Sequence, residues 1–174
     1  MGASRQCLIM SKCVPGAVPR PEGLRLVTGL SPATAFSQAV IHLMNRPAFA
    51  RAPFGHIARS LAGQVNRGHY AFACRGEAIV GFAGWARTAE PVAEAWLGGE
   101  RGFGDAEACA GDCLVLNFWQ ADAPEVSRFL LRSLGGLVPG IRRVYAKRHY
   151  PDGRMRPLRL DVAARAAAGQ RAVA

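Results

Sequence analysis

The chain has 174 residues, half of them hydrophobic, and a formal net charge of +10. That length supports one domain with a self-sufficient core. No apolar run approaches the roughly 18 residues that a membrane-crossing helix needs, and five cysteines, an odd number, read as reduced thiols rather than a disulfide scaffold. Residues 1–30 read as a flexible N-terminal leader. Pro15, Pro19 and Pro21 break regular structure there, and the patch Cys7–Met10 is too short for a secretory signal, so a cytoplasmic setting is expected. From Ser31 the pattern turns helical. Ser31 suits an N-cap and Pro32 the first helical position, and Phe36, Val40, Leu43 and Met44 form one apolar stripe. Pro47 and Pro53 interrupt it. A second helix then carries Phe54, Ile57, Leu61 and Val65 on one face and stops at Gly68.

Two short apolar runs flank Arg75-Gly76-Glu77 and predict a β-hairpin. In the second run, "AIVGFAGWA", the strand reads as buried on both faces, and Gly81 and Gly84 predict a bulge or a close backbone approach. A short helix over "EPVAEAWLGG" and a loop follow. "CLVLNFWQA" is a near-continuous apolar run, as a central strand reads. Asp122 with Glu125 predicts a capping box for the next helix, whose Val126, Phe129, Leu130, Leu134 and Leu137 face inward. A second hairpin turns at Pro151-Asp152-Gly153, and residues 162–174 read as a frayed helix or a flexible tail. One domain over residues 31–161 results, of α+β or mixed α/β class, with one sheet covered by helices. Cys109 and Cys113 are four apart, a spacing that would share one helical face, but no second Cys or His pair has a matching spacing, so no metal centre is expected. The charge comes almost wholly from arginine; Lys12 and Lys147 are the lysines. A basic surface implies an acidic partner. No helix-turn-helix, zinc finger or aromatic-basic RNA motif accompanies it, so nucleic acid is not the expected one.

The hairpin, strand, helix order is the one used by the N-acetyltransferase-like (GNAT) fold. Five residues also occur in order: Pro47 in "RPAF", Pro53, Tyr70, Trp85 and Ala86. With "GWA" where the family has "SWA", and "WLGGERGFGD" near its tryptophan-containing "SGDR" segment, the chain resembles the RTX toxin-activating lysine acyltransferases from about Phe36 to Leu160. The resemblance implies a GNAT-like fold and transfer of a fatty acyl group from acyl carrier protein to internal lysines of a protein. It implies no bound cofactor, acyl-acyl carrier protein as donor, an RTX-type or other secreted protein as acceptor, and it leaves a homodimer open. The family's catalytic histidine slot is Phe49 here, and its catalytic aspartate slot is Asn117. Phenylalanine moves no proton and an amide is no base. A site therefore needs other groups, or the protein is an inactive member that binds a carrier or a client.

His56, seven residues past the vacant slot, reads as a relocated base or as a helix-surface histidine. His42 lies on the flank of the first apolar stripe, at a surface or boundary position. Asn117 reads as an oxyanion donor or a buried amide satisfied by backbone. Cys74 reads as a small core residue. Phe82, Trp85, Phe118 and Trp119 form either a slot for an acyl chain or plain core. The junction "QADAPEVSR" has no glycine to bring backbone N–H groups to a phosphate, and Asp122 would repel one, which argues against a pyrophosphate cradle. Arg142, Arg143, Lys147, Arg148, Arg154, Arg156 and Arg159 read as a dock for an acidic carrier or as ordinary outward strand residues.

Overall fold

The computed structural model describes residues 23–150, 152 and 154–162. In chain order the elements are β1 (Leu24–Val27), α1 (Pro32–Leu43), α2 (Pro47–Ala50), α3 (Phe54–Arg67), β2 (Tyr70–Arg75), β3 (Ala78–Thr88), α4 (Glu90–Gly98), β4 (Cys113–Ala121), α5 (Pro124–Leu137), β5 (Arg143–His149) and β6 (Met155–Asp161). Local chemistry sets most boundaries. Ser31 accepts the Thr34 N–H at 3.3 Å and Pro32 opens α1. Gly68, at φ +69°, takes the left-handed conformation that ends α3, and its N–H closes on the Gln64 and Val65 carbonyls.

One six-stranded sheet runs in the order β1-β2-β3-β4-β5-β6. All neighbours are antiparallel except β4 and β5, which are parallel. A parallel pair needs a crossover, and α5 provides it. Helix α5 covers one face, where Val126, Phe129, Leu130 and Leu134 pack with Leu24, Ala71, Ala73, Ala83, Trp85 and Leu114. Helices α1, α3 and α4 cover the other. There Tyr70, Phe72, Cys74, Phe82 and Phe118 meet Ala35, Ala39, Leu43, Leu61 and Val65, and Cys113, Val115 and Tyr145 meet Ala93 and Leu97. Strands β2, β3 and β4 are thus covered on both sides, which is why their sequences are apolar rather than alternating. The order of elements and the single parallel pair make this an α+β domain of GNAT-like fold, as expected.

Both glycines of "AIVGFAGWA" lie at register shifts. The β2–β3 ladder slips between Ala73 and Cys74, opposite Gly81 and Ile79, and the β3–β4 ladder slips between Gly84 and Trp85. Each also permits a close approach. A Cβ on Gly81 would stand 2.7 Å from Val126 Cγ1 of α5, and one on Gly84 would stand 2.9 Å from Gln64 Cδ of α3.

Four expectations change. The leader was drawn through residue 30, yet β1 pairs Leu24–Val27 with Phe72–Arg75 and buries Leu24 completely. Its short length hid it: four residues carry too little periodicity to stand out beside prolines. The buried face of α1 is Ala35, Ala39, His42 and Leu43, while Met44 is exposed, because small alanines let the helix approach the sheet more closely than Phe36 and Val40 would. Asp122 does not cap α5. The N-cap is Ala123, without a side-chain bond, and Asp122 instead pairs with Arg46 at 2.6 Å. Cys109 follows a 3-10 turn (Ala106–Ala108) and Cys113 opens β4, so they share no helical face. Among the expected features, residues 1–22 of the leader, Pro151 and Gly153 of the turn, Cys7, Cys13 and residues 163–174 lie outside the described residues. Among the described residues, no helix is long and apolar enough to cross a membrane.

Candidate functional site

The parallel pairing of β4 and β5 joins Cys113–Leu116 to Arg143–Ala146 and stops there. Both strands continue, β4 over Asn117–Ala121 and β5 over Lys147–His149, without pairing to each other. Their facing backbone groups line a wedge between two extended segments. The wedge begins at a bulge. Gly84 opposes Phe118 and Trp85 opposes Leu116, so Asn117 is the extra residue on β4. Bulges re-aim side chains, and here both Asn117 and Phe118 face α1 and α3.

Gln64 of α3 holds Asn117. Its Nε2 donates to Asn117 Oδ1, and Gln64 is fully buried over Gly84. The bond occupies the acceptor end of Asn117 and leaves its amide NH2 as a donor. Gln64 Oε1 has no hydrogen-bond partner among the described residues. Buried amides are nearly always satisfied, so an orphan acceptor beside a bulge marks a constrained spot.

A second polar group lies where α1 meets the end of β4. Arg46 Nε donates to the His42 carbonyl at 3.3 Å, and its guanidinium pairs with Asp122, which follows β4 directly. The Asp122 N–H donates to the Val80 carbonyl at 2.9 Å, pinning this junction to β3. His42 lies in the last turn of α1, four residues before Arg46, which follows the helix as the N-cap of α2. It is 9% exposed, and its Nε2 has no hydrogen-bond partner among the described residues. Burial holds its pKa below the ordinary histidine value; Arg46 lowers it further and Asp122 opposes this. The expectation of a surface or boundary position is therefore corrected. Ala35, Ala39, His42 and Leu43 share one face of α1, and the close docking of that face turns His42 inward.

The remaining candidates fall in several places. His56 is exposed on the first turn of α3, eight residues from Gln64, or about 12 Å along the axis. It is Gln64, and not His56, that α3 brings to Asn117. Phe49 stacks on Phe118 at 5.6 Å, so the two slots named by the resemblance do adjoin. Trp85 and Trp119 pack on the α5 face, with Trp119 Nε1 donating to Ser127 Oγ at 3.2 Å, whereas Phe82 and Phe118 pack on the opposite face. The sheet itself separates these four aromatics, and they do not form one slot. Alternation already puts the neighbours Phe118 and Trp119 on opposite faces of β4, and Phe82 and Trp85, three apart, on opposite faces of β3. The bulge at Asn117 decides which face Phe118 takes, opposite to that of Leu114 and Leu116.

The seven basic residues of the second hairpin also divide. Arg142 pairs with Glu90 at 2.6 Å and Asp112 at 2.9 Å, Arg143 with Glu90 and with Asp161 at 2.6 Å, and Arg159 with Glu94 at 2.6 Å. The Arg142 and Arg159 hydrogen bonds hold Glu90 and Glu94 below the ordinary glutamate range. Arg154 pairs with Asp152. Lys147 lies over the Trp96 ring and Arg148 over the Tyr150 ring. Arg148 and Arg156 are direct cross-strand partners, two like charges with no acid on either among the described residues. Lys147 and Arg148 belong to the part of β5 that has left β4, so they stand at the lip of the wedge.

The buried thiols are poor nucleophiles. Cys74 is buried in the core. The Cys113 thiol is pushed up to about 11, first by burial and then by the Asp112 carboxylate. Iodoacetamide at about pH 8 should label the exposed Cys109 and spare Cys113 until the protein unfolds, as peptide mass mapping would read.

No family pattern and no curated protein matches the chain. Among solved structures it is similar to the loading GNATL domain of CurA from Lyngbya majuscula, at 14% identity and TM-score 0.48, over 74% of this chain and 68% of that one. It is also similar to the GphF GNAT-like decarboxylase in complex with isobutyryl-CoA, at 20% identity and TM-score 0.49, over 73% of this chain and 67% of that one.

Proposed function

We propose that the chain is an acyltransferase of the toxin-activating type, which moves an acyl group from an acidic acyl carrier protein to a lysine amine of a target protein. The wedge carries this reading. Two extended segments with unpaired backbone groups offer hydrogen bonds to the extended thiol arm of a carrier, and the Asn117 amide stands at their root. The reaction needs little more. The amine nitrogen attacks the thioester carbonyl, the C–S bond breaks, and the thiolate leaves with the carrier and takes up the proton that the nitrogen gives up. Asn117 NH2 and backbone N–H groups meet the oxyanion. A carrier-borne donor is favoured over a free nucleotide thioester because the junction from β4 to α5, "QADAPEVSR", has no glycine to bring backbone N–H groups to a pyrophosphate. An acidic carrier suits Lys147 and Arg148 at the lip, with Arg156 beside Arg148 on β6.

A second reading has its own observation. Both slots named by the resemblance lack a proton-transfer group, and both are filled: Phe49 is stacked on Phe118 and Asn117 is bonded to Gln64. A protein of this kind would hold a carrier or client without turnover.

The test combines the purified protein, carriers charged with acyl chains of several lengths, and an RTX-type acceptor, with intact mass followed on carrier and acceptor. Acyl lost from the carrier and gained on an acceptor lysine supports the enzyme. Carrier binding with both masses unchanged selects the binding module. Neither binding nor turnover rejects both.

A further inference from the structure

We propose that His42 is the general base that takes the proton of the acceptor amine, an assignment that rests on the acyl-transfer reading above. Three observations converge on it. The residue is 9% exposed, on the buried face of α1. Its Nε2 is left without a partner among the described residues, at a cost a fold rarely accepts without a use for the atom. Its backbone carbonyl accepts from Arg46, which pairs with Asp122, the residue that follows the wedge strand β4. His56, the histidine nearest the vacant slot in sequence, has neither the burial nor the tie.

The charged groups acting on His42 are Arg46, between α1 and α2, and Asp122 at the β4–α5 junction. Burial and Arg46 outweigh Asp122, so the imidazole is neutral at neutral pH and can accept a proton. As the amine nitrogen bonds to the thioester carbon it becomes strongly acidic. The proton passes to Nε2, the carbon–sulfur pair leaves with the thiolate, and the imidazolium then returns the proton to that thiolate. No other reactant is consumed. Contact between Nε2 and the amine forms once the substrate is seated, as is usual for such bonds.

The experiment compares wild type, His42→Gln and His42→Ala for carrier binding and for acyl transfer across pH. His42→Gln should keep carrier affinity within about twofold and lose transfer by roughly a hundredfold or more. Wild-type transfer should rise along an acid limb set below the ordinary histidine value, and this limb should vanish in the variant. Added imidazole should restore part of the rate in His42→Ala. Transfer by His42→Gln within about threefold of wild type overturns the base and leaves the enzyme reading intact. Wild-type protein that binds carrier without transfer overturns both. Should the variants melt far below wild type, the wild-type profile decides alone: a rate flat from about pH 5 to 8 overturns the assignment.

Discussion

Replacing Gly84 with alanine is expected to destabilise the domain by about 2–3 kcal/mol and lower its melting temperature by roughly 5–10 °C. The added Cβ would stand 2.9 Å from Gln64 Cδ and 3.1 Å from Gln64 Nε2, and closer still to Oε1. A flexible surface side chain would swing away. Gln64 cannot do so freely, because it is fully buried and its Nε2 is committed to Asn117. Either the strand shifts or the Gln64–Asn117 bond breaks, and a broken bond leaves buried polar groups unpaired. The variant should therefore also lose transfer activity if Asn117 serves the oxyanion. Thermal melts of Gly84→Ala, Gln64→Ala and the double variant read this directly. Gln64→Ala should be costly alone, yet the double variant should be less destabilised than the sum, since the clash has lost its partner. Strict additivity would mean that Gly84 and Gln64 do not press on each other.

Arg148→Glu is expected to weaken carrier association about tenfold at low salt, with the difference shrinking as salt rises. The same change should leave stability within about 0.5 kcal/mol of wild type or raise it slightly. The opposite directions follow from the register. Arg148 faces Arg156 across β5 and β6, and an acid there turns a like-charge pair into an attractive one. At the lip of the wedge the same acid repels an acidic carrier. Titration of a labelled carrier at two salt concentrations, with thermal melts beside it, checks both halves. Arg142→Glu makes the contrast. Arg142 is held by Glu90 and Asp112, so its loss should act on stability and only weakly on carrier binding.

How legible the site was depended on the range of the interaction. Asn117 stood out because one polar residue in "CLVLNFWQA" needs a reason, and Gly84 because a glycine in a buried strand marks a bulge or a close approach. The structure joined the two through Gln64, a residue that reads in sequence as an ordinary polar position on an amphipathic helix. Its partner lies 53 residues away, and no local pattern encodes that distance. His42 failed for a related reason. A histidine beside a stripe of large apolar residues reads as a boundary position, and only the docking of α1 through Ala35 and Ala39 turns it inward.

Residue type and spacing alone determined the helices, both hairpins, the buried strands and the α+β class, because capping, turn chemistry and periodicity act over a few residues. Composition alone set the basic charge. The tertiary structure decided everything that depends on pairing and phase. It ended the β4–β5 ladder at Leu116 and Ala146 and gave β4 its extra residue at Asn117. It set Phe118, past that bulge, on the face of α1 and α3 and turned Asp122 from an expected cap into the partner of Arg46. It also matched four of the seven hairpin cations with acids from other elements or the same turn and, among the described residues, left Lys147, Arg148 and Arg156 without one. Register and long-range charge pairing are settled between segments distant in the chain, where burial and Coulomb energy act on the folded geometry and not on the order of residues.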